Sequence, residues 1–338
     1  MFCAFCSANL SDWNTVHCVK RVMVASVMCG AMVCLGGCSE SGGAKGGKDR
    51  GAGVRTVTDD TGRTVELPAD VDRIVAGSSF AAEYLIALGH PPVLRPDVAI
   101  EHVSAGADQL AVIDTLAIDH SVGPNMEQIV AADPDAVILS PSFARFAATI
   151  EQAADAPVLV YRIACLDAVP AKAEAFGRLI DKPRQGRALA ASLRRQFDAI
   201  AAPADAHEPS VFAIFGTPAS FFAFLPKSYL GSMVEHLGGR MITEDAPASG
   251  MSSQLAPFSL EALVEADPDV ILLVHHGPAG EMADALESRE NWANLRAVKS
   301  GRVHRVSEQL FMTNPGPSAV DALRQLRRLL YPGTENGS

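Results

Sequence analysis

Cysteine is almost absent from the body of this 338-residue chain. Six of the seven cysteines precede residue 39, and only Cys165 lies beyond it. A single thiol cannot close a disulfide within the body or build a zinc ribbon, so both frameworks are excluded there. We expect Cys165 to serve as a small buried apolar side chain.

Long basic runs are also lacking. Lysine and arginine together number 28 against 39 acidic residues, which gives a formal net charge of −11. Surfaces that bind nucleic acid or anionic lipid carry clustered basic side chains. The sequence therefore predicts no nucleic-acid partner. Separately, the length of the chain is sufficient for about two domains.

Motifs of common enzymes are missing as well. The sequence contains no Gly-x-Ser-x-Gly elbow, His-Glu-x-x-His zinc helix, Walker loop or Gly-x-Gly-x-x-Gly phosphate turn. These motifs place a nucleophile, a metal or a phosphate beside its catalytic partners. Without them the sequence favours a binding protein over an enzyme.

The amino-terminal segment has a basic-then-apolar pattern. Lysine and arginine precede residues 22–35, an apolar stretch shorter than the about 20 residues that a membrane-spanning helix needs. The stretch ends in Leu-Gly-Gly before Cys38, which is typical of a lipoprotein signal. We expect residues 1–37 to be removed as a signal peptide, Cys38 to carry a lipid, and residues 38–53 to form a flexible tether outside the cytoplasm. An uncleaved membrane anchor is the alternative.

Two segments of the chain, residues 125–139 and 259–273, match each other. Each contains an amphipathic pattern, an Asp-Pro-Asp turn and an unbroken apolar run. Proline disfavours helix continuation, and an unbroken apolar run is typical of a strand buried on both faces of a parallel sheet. Each segment is therefore predicted to form a helix, a turn and a strand. The expected apolar stripes of the two helices are Met126, Ile129 and Val130 in the first copy, and Leu260, Leu263 and Val264 in the second.

The two halves also open alike, with a strand and a glycine-containing turn at residues 73–79 and 210–218. Strands that alternate with helices predict two Rossmann-like α/β lobes, each with a central, mostly parallel sheet. Residues 169–200 have one long helical pattern with a break or kink at Lys182-Pro183. The expected units are an amino-terminal lobe at 54–166, a bridging helix at 167–202 and a carboxyl-terminal lobe at 203–334.

In their order and spacing these features resemble the ABC-importer solute-binding proteins with a helical backbone. That class serves siderophores, haem and cobalamin, with metal ions in a sister group. The resemblance covers residues 55–332 and includes a hairpin pattern at 56–68 and a closing segment at 295–304. It implies a class III periplasmic binding protein fold and delivery of a small iron complex to a permease dimer with its ATPase. We expect the protein to be a monomer that contacts the membrane through its lipid alone.

Glu127 and Glu261 occupy equivalent positions in the two repeats. A carboxylate in the first turn of a helix offsets the helix dipole. The resemblance implies a second role, in which one glutamate on each lobe docks into arginines of the permease dimer. Both roles are compatible at the same position.

Residues 216–239 and 269–277 resemble the haem-receptor lipoproteins of the Isd type. Those proteins hold haem iron between a methionine of the first lobe and a histidine of the second. The histidine falls on His276. The resemblance therefore implies that His276 is an axial ligand of haem iron.

The methionine of that pattern is replaced by Val122, which cannot ligate iron. His120 and His102 are two candidates for the first-lobe ligand, whereas Met126 is expected in the core. Five-coordinate haem held by His276 alone is the remaining possibility. Further candidates for ligand contact are the aromatic Phe222 and Tyr229, beside Phe221 and Phe224, and, for ligand carboxylates such as propionates, Arg145, Arg162 and Lys227.

Other functions remain open at this point. The haem is expected to lie between the two lobes, contacted by the loops that follow the strands. A ferric siderophore or a corrinoid would bind in the same place without an axial histidine. A zinc or manganese receptor would draw on His102, His120, His275 and His276 as nitrogen donors. A sensor lipoprotein that takes no part in transport would keep the fold and lose the glutamate pair.

Overall fold

The computed structural model describes residues 53–97, 106–119, 121–200, 202, 207–217, 220–243, 248, 254–275, 279–313 and 315–333. Within these residues helices and strands alternate along both halves of the chain. None of the described helices is both long and apolar enough to cross a membrane.

The described part of the first half of the molecule contains nine short strands. Its strands are β1 (Val54–Thr58), β2 (Thr64–Pro68), β3 (Ile74–Gly77), β4 (Arg95–Pro96), β5 (Thr115–Leu116), β6 (Ile118–Asp119), β7 (Gly123–Pro124), β8 (Ala136–Leu139) and β9 (Val158–Val160). Its helices are α1 (Ser79–Ala87), α2 (Ala107–Ala111), α3 (Met126–Ala131) and α4 (Ala147–Ala154), with a 3-10 helix at Pro141–Phe146. Strands β3, β8 and β9 form a parallel sheet in that order. Every residue of these three strands is buried, as the apolar sequence predicts for a sheet covered on both faces.

The segment between the halves forms two helices, α5 (Ala168–Leu179) and α6 (Pro183–Ala199). The break expected at Lys182-Pro183 is present, and it divides the bridging segment into two separate helices. Asp181 has a left-handed φ of 52°, and the chain turns there so that α6 packs along α5. The backbones touch at Gly186, where a Cβ atom would lie 2.8 Å from the carbonyl oxygen of Ala173. Only glycine fits such a close approach.

Helix α6 contacts both halves of the molecule. At its start the Nζ atom of Lys182 donates to the carbonyl oxygen of Gly89, 2.7 Å away, just after α1. Near its end the carbonyl oxygen of Phe197 lies 2.9 Å from Nε2 of His236 in the second half. Leu193 and Phe197 of this helix are buried.

The second half has a larger, mixed sheet. Its strands are β10 (Ser210–Thr217), β11 (Ser220–Phe224), β12 (Arg240–Met241), β13 (Leu255–Pro257), β14 (Val270–His275) and β15 (Val303–Ser307). Its helices are α7 (Tyr229–His236), α8 (Leu260–Ala266), α9 (Ala279–Glu287), α10 (Arg296–Lys299) and α11 (Ala319–Leu330), with a 3-10 turn at Trp292–Asn294 and a π-helical turn at Gln309–Thr313. The strand order is β13-β11-β10-β14-β15, and β12 also pairs with β10. Strand β14 is parallel to both of its neighbours.

The two halves do not open in the same way. Strand β3 leads directly into α1, as the sequence predicts. Strand β10 instead continues through Gly216 and pairs with the antiparallel β11 before α7 begins. A Cβ atom at Gly216 would lie 2.1 Å from the carbonyl oxygen of Ser220, so this hairpin depends on glycine.

One hydrophobic core runs through both halves. It contains Tyr84 of α1, Phe176 of α5 and Phe197 of α6 together with Val274 of β14 and Leu323 of α11. The outer faces of the two sheets are covered by two separate clusters. The shared core resists separation of the halves, because opening it would expose apolar area to water.

A buried carboxylate also joins the halves. Glu83 of α1 is 2% exposed, and its Oε2 atom accepts hydrogen bonds from the backbone N–H of Ser318 at 2.9 Å and from the Ser318 hydroxyl at 2.7 Å. Ser318 directly precedes α11, where orphan N–H groups favour an anionic acceptor. A Cβ atom at Gly316 would lie 3.0 Å from the same oxygen.

We predict that Glu83→Ala lowers the free energy of unfolding by about 3 kcal/mol, because it leaves two buried donors without their acceptor. Ser318→Ala, which removes the hydroxyl alone, should cost about 1 kcal/mol. Urea denaturation of both variants measures this, and the exposed Glu265→Ala in α8 is the control. Equal stability of Glu83→Ala and Glu265→Ala would contradict the assignment.

Candidate functional site

The duplicated segments form matching helices, α3 and α8. The residue before each helix caps it by accepting a hydrogen bond from the backbone N–H three residues later. Asn125 Oδ1 accepts from the N–H of Gln128, and Ser259 Oγ accepts from the N–H of Ala262. Such caps fix the start of a helix. Glu127 and Glu261 lie in the first turn of α3 and α8, and both are exposed.

The buried face of each of these two helices is narrower than the sequence predicts. Ile129 and Leu263 are fully buried, but Val130 is 45% exposed and Val264 is 37% exposed. The expectation that both valines belong to a buried stripe is therefore wrong. Helices of six and seven residues present only one or two positions to the sheet beneath them, and the neighbouring position faces outward.

The first aspartate of each Asp-Pro-Asp turn ends its helix. Asp133 and Asp267 have left-handed φ values of 45° and 38°, the conformation typical of a residue just past a helix. An arginine binds the helix end in each half. The guanidinium of Arg73 donates to the carbonyl oxygen of Ala132 at 2.6 Å, and that of Arg296 donates to the carbonyl oxygen of Asp267 at 2.5 Å.

The second aspartate of each turn binds the start of the neighbouring strand. Oδ2 of Asp135 accepts from the backbone N–H of Arg73 at 2.8 Å. Oδ2 of Asp269 accepts from the N–H of Ser210 at 2.9 Å and from its hydroxyl at 2.7 Å. The two contacts are equivalent in the two halves, because Arg73 directly precedes β3 and Ser210 is the first residue of β10. Each one joins two parallel strands at their amino ends.

The charge of Asp269 is stabilised by this arrangement. Burial by itself raises the pKa of the carboxyl group, but the two hydrogen bonds from Ser210 and the positive charge of Arg296 outweigh it and lower the pKa below its ordinary value. Nη1 of Arg296 lies 2.7 Å from Oδ1. Asp269 is therefore ionised throughout the neutral range.

The three histidines proposed as iron ligands, His276, His120 and His102, lie outside the described residues. His276 follows the last residue of β14 in the sequence, and β14 lies between β10 and β15 in the sheet. Ligands of parallel α/β folds bind beyond the carboxyl ends of the strands. Among the residues that the structure describes, no three His, Cys, Asp or Glu side chains are grouped as a metal site requires.

The turn between β6 and β7 carries the position of the missing methionine. Val122 is 79% exposed there. Oδ1 of Asp119 accepts from the backbone N–H groups of Ser121 at 2.7 Å and of Val122 at 2.8 Å. Nη2 of Arg145 lies 3.4 Å from the carbonyl oxygen of Ser121. The structure thus brings one of the three proposed cationic side chains to this turn.

The other proposed contact residues lie in different surroundings. Tyr229 is 1% exposed and lies in the shared core together with Phe224, so its ring contacts protein in this structure. Phe222 is partly buried against the same core, whereas Phe221 packs against the outer cluster and lies under the guanidinium of Arg289. Arg162 and Lys227 are exposed.

Comparison with known proteins identifies the family to which this chain belongs. Residues 74–310 match the family model described as periplasmic binding protein, a range that runs from β3 through β15. The chain belongs to the periplasmic binding protein family. Membership of this family confirms the resemblance found in the sequence.

One curated relative from this family is the high-affinity heme uptake system protein IsdE of Staphylococcus aureus strain MRSA252. It is 29% identical over 144 residues, which cover 41% of this chain and 47% of IsdE. The chain therefore spans about half the length of this curated relative.

Solved structures of periplasmic binding proteins share the fold. S. aureus IsdE complexed with haem has a TM-score of 0.64 at 21% identity, covering 77% of this chain and 98% of its own. S. aureus SirA complexed with staphyloferrin B has a TM-score of 0.64 at 16% identity, covering 82% and 98%. The periplasmic vitamin B12 binding protein BtuF of Vibrio cholerae has a TM-score of 0.59 at 20% identity, covering 77% and 96%. The predicted class III fold is thereby confirmed.

The side chains that hold α3 and α8 in place are not among those predicted from the sequence. Arg73, Arg296, Asp135 and Asp269 all contribute to this. The two aspartates could have been found, because they recur in the repeat. The two arginines could not, since one precedes its repeat and the other follows it.

We predict that Asp269→Asn lowers the free energy of unfolding at pH 7 and that the loss disappears in acid. A carboxyl group with a lowered pKa in the folded state contributes stability above its unfolded pKa of about 3.9, and this contribution is lost as the pH falls through the folded value. Urea unfolding at neutral pH and below pH ~4 measures the difference. If Asp269→Asn lowers the free energy of unfolding by the same amount in acid as at pH 7, the charge of Asp269 does not contribute to stability.

Proposed function

We propose that the protein is the extracytoplasmic substrate-binding component of an ABC importer and that its ligand is haem. The observation that carries the importer function is the duplicated docking motif. Glu127 and Glu261 are exposed at the same place in α3 and α8, and both helices are capped and anchored in the same way. Two carboxylates at fixed positions are suited to simultaneous contact with the two subunits of a permease dimer.

The choice of haem rests on the second half of the chain. The relative IsdE is named for haem uptake, and His276 stands where the Isd-type pattern has its iron-binding histidine. A neutral imidazole nitrogen is a common axial ligand of haem iron. We propose His276 as that ligand.

The first half would supply the opposite side of the haem site. In the sequence His120 lies between Asp119 and Ser121, two residues before the exposed Val122. It is our first candidate for a second iron ligand, with His102 as the alternative. Arg145 lies at the same turn and is placed to pair with a propionate.

A ferric siderophore or a corrinoid is the second candidate ligand. SirA and BtuF share the fold and are described with staphyloferrin B and vitamin B12. Valine in place of the expected methionine favours this alternative, because it removes one iron ligand of the Isd-type site. The anchor belongs to the same proposal: a lipid on Cys38 would hold either receptor at the outer face of the cell membrane.

We predict that residues 39–338 bind haemin with a shifted Soret band and that His276→Ala weakens binding at least about tenfold and changes the spectrum, because the axial nitrogen is lost. His120→Ala should change the spectrum only if iron is six-coordinate. Absorbance titration measures both. His207→Ala is the matched control, since His207 is exposed and precedes the amino end of β10.

A wild-type spectrum identical to that of free haemin would exclude haem as the ligand. If haem binds but His276→Ala leaves the band unmoved, the ligand assignment is wrong and haem binding stands.

A further inference from the structure

Two exposed valines occupy equivalent positions beside the docking glutamates. Val130 follows Glu127 by three residues in α3, and Val264 follows Glu261 by three residues in α8. Residues three apart lie on one face of a helix. Each half therefore presents the same pair, a carboxylate and an apolar side chain one turn later.

The exposure of these valines does not come from loosely held helices. Ile129 and Leu263, the preceding residues, are fully buried. The helix ends are bound by Arg73 at the carbonyl oxygen of Ala132 and by Arg296 at that of Asp267. The outward position of each valine is thus set by the fixed backbone of its helix.

A single exposed valine on a protein surface is ordinary. Here a valine is exposed at the same position of both repeats, although each half packs its helix against a different set of neighbours. This agreement between the two halves is not expected of an isolated exposed side chain. Burying one such side chain in an interface gains free energy in proportion to its apolar area. Val130 and Val264 are therefore suited to make equivalent contacts with one partner.

We propose that Val130 and Val264 belong to the docking surface and insert into apolar sites on a two-fold symmetric membrane permease, each site adjoining a basic side chain that binds Glu127 or Glu261. This inference rests on the importer function proposed above. A partner that contacts both repeats has to present its own binding site twice, as a homodimer does. A carboxylate beside an apolar side chain is complementary to a cation beside an apolar pocket.

Photo-crosslinking tests the inference without reference to the ligand. The full lipidated chain is produced in its own cells with p-benzoylphenylalanine in place of Val130, Val264 or, as the control, Val54, which is 69% exposed in β1. We expect positions 130 and 264 to crosslink to one and the same multi-spanning permease subunit, and position 54 to give no such product. Absence of that product at 130 and 264 would overturn the inference.

Uptake of labelled haem provides the second test. We expect Val130→Ser/Val264→Ser to lower the uptake rate about tenfold or more at limiting receptor, because two apolar contacts are lost, while Val54→Ser has no effect. Haemin binding by the purified double variant should equal that of the wild type. Normal uptake by the double variant would overturn the docking role and leave haem binding intact. If the wild type fails to bind haemin, the proposed ligand is wrong, and crosslinking alone decides the docking surface.

Discussion

In each half of the molecule one carboxylate joins two parallel strands at their amino ends. Asp135 does so for β3 and β8, and Asp269 for β10 and β14. Helices α3 and α8 precede these aspartates by a single tight turn, so their orientation follows from the same contact. The sheet that would carry the ligand and the surface that would meet the permease are therefore fixed to each other within each half.

The halves are in turn held together by apolar packing and one buried carboxylate. The core that contains Tyr84, Phe176 and Leu323 is continuous, and Glu83 binds the start of α11. Helix α6 contacts both sides. This construction favours small relative movements of the halves, because a wide opening would break a shared core.

Much of the fold could be predicted from sequence, because strands β8 and β14 are unbroken apolar runs and the repeat marks its own turns. The reversal at Asp181 could not, since it depends on the close approach of Gly186 to α5. The exposure of Val130 and Val264 also escaped prediction, because a short apolar stripe does not show how much of it is covered. The roles proposed for Glu127, Glu261 and His276 rest on family resemblance. The structure describes the surroundings of the two glutamates, whereas His276 lies outside the described residues.

The central proposal is that the protein binds haem in preference to a ferric siderophore or a corrinoid. Residues 39–338 contain one tryptophan, Trp292, which is 3% exposed beside the second-half sheet and reports on a bound chromophore through fluorescence quenching. The most direct measurement is a titration of this emission with haemin, ferric staphyloferrin B and cobalamin, each followed by competition. The account predicts saturable one-to-one quenching by haemin that excess siderophore or cobalamin does not reverse. Displacement of haemin by either competitor, or saturation by a competitor alone, would contradict it.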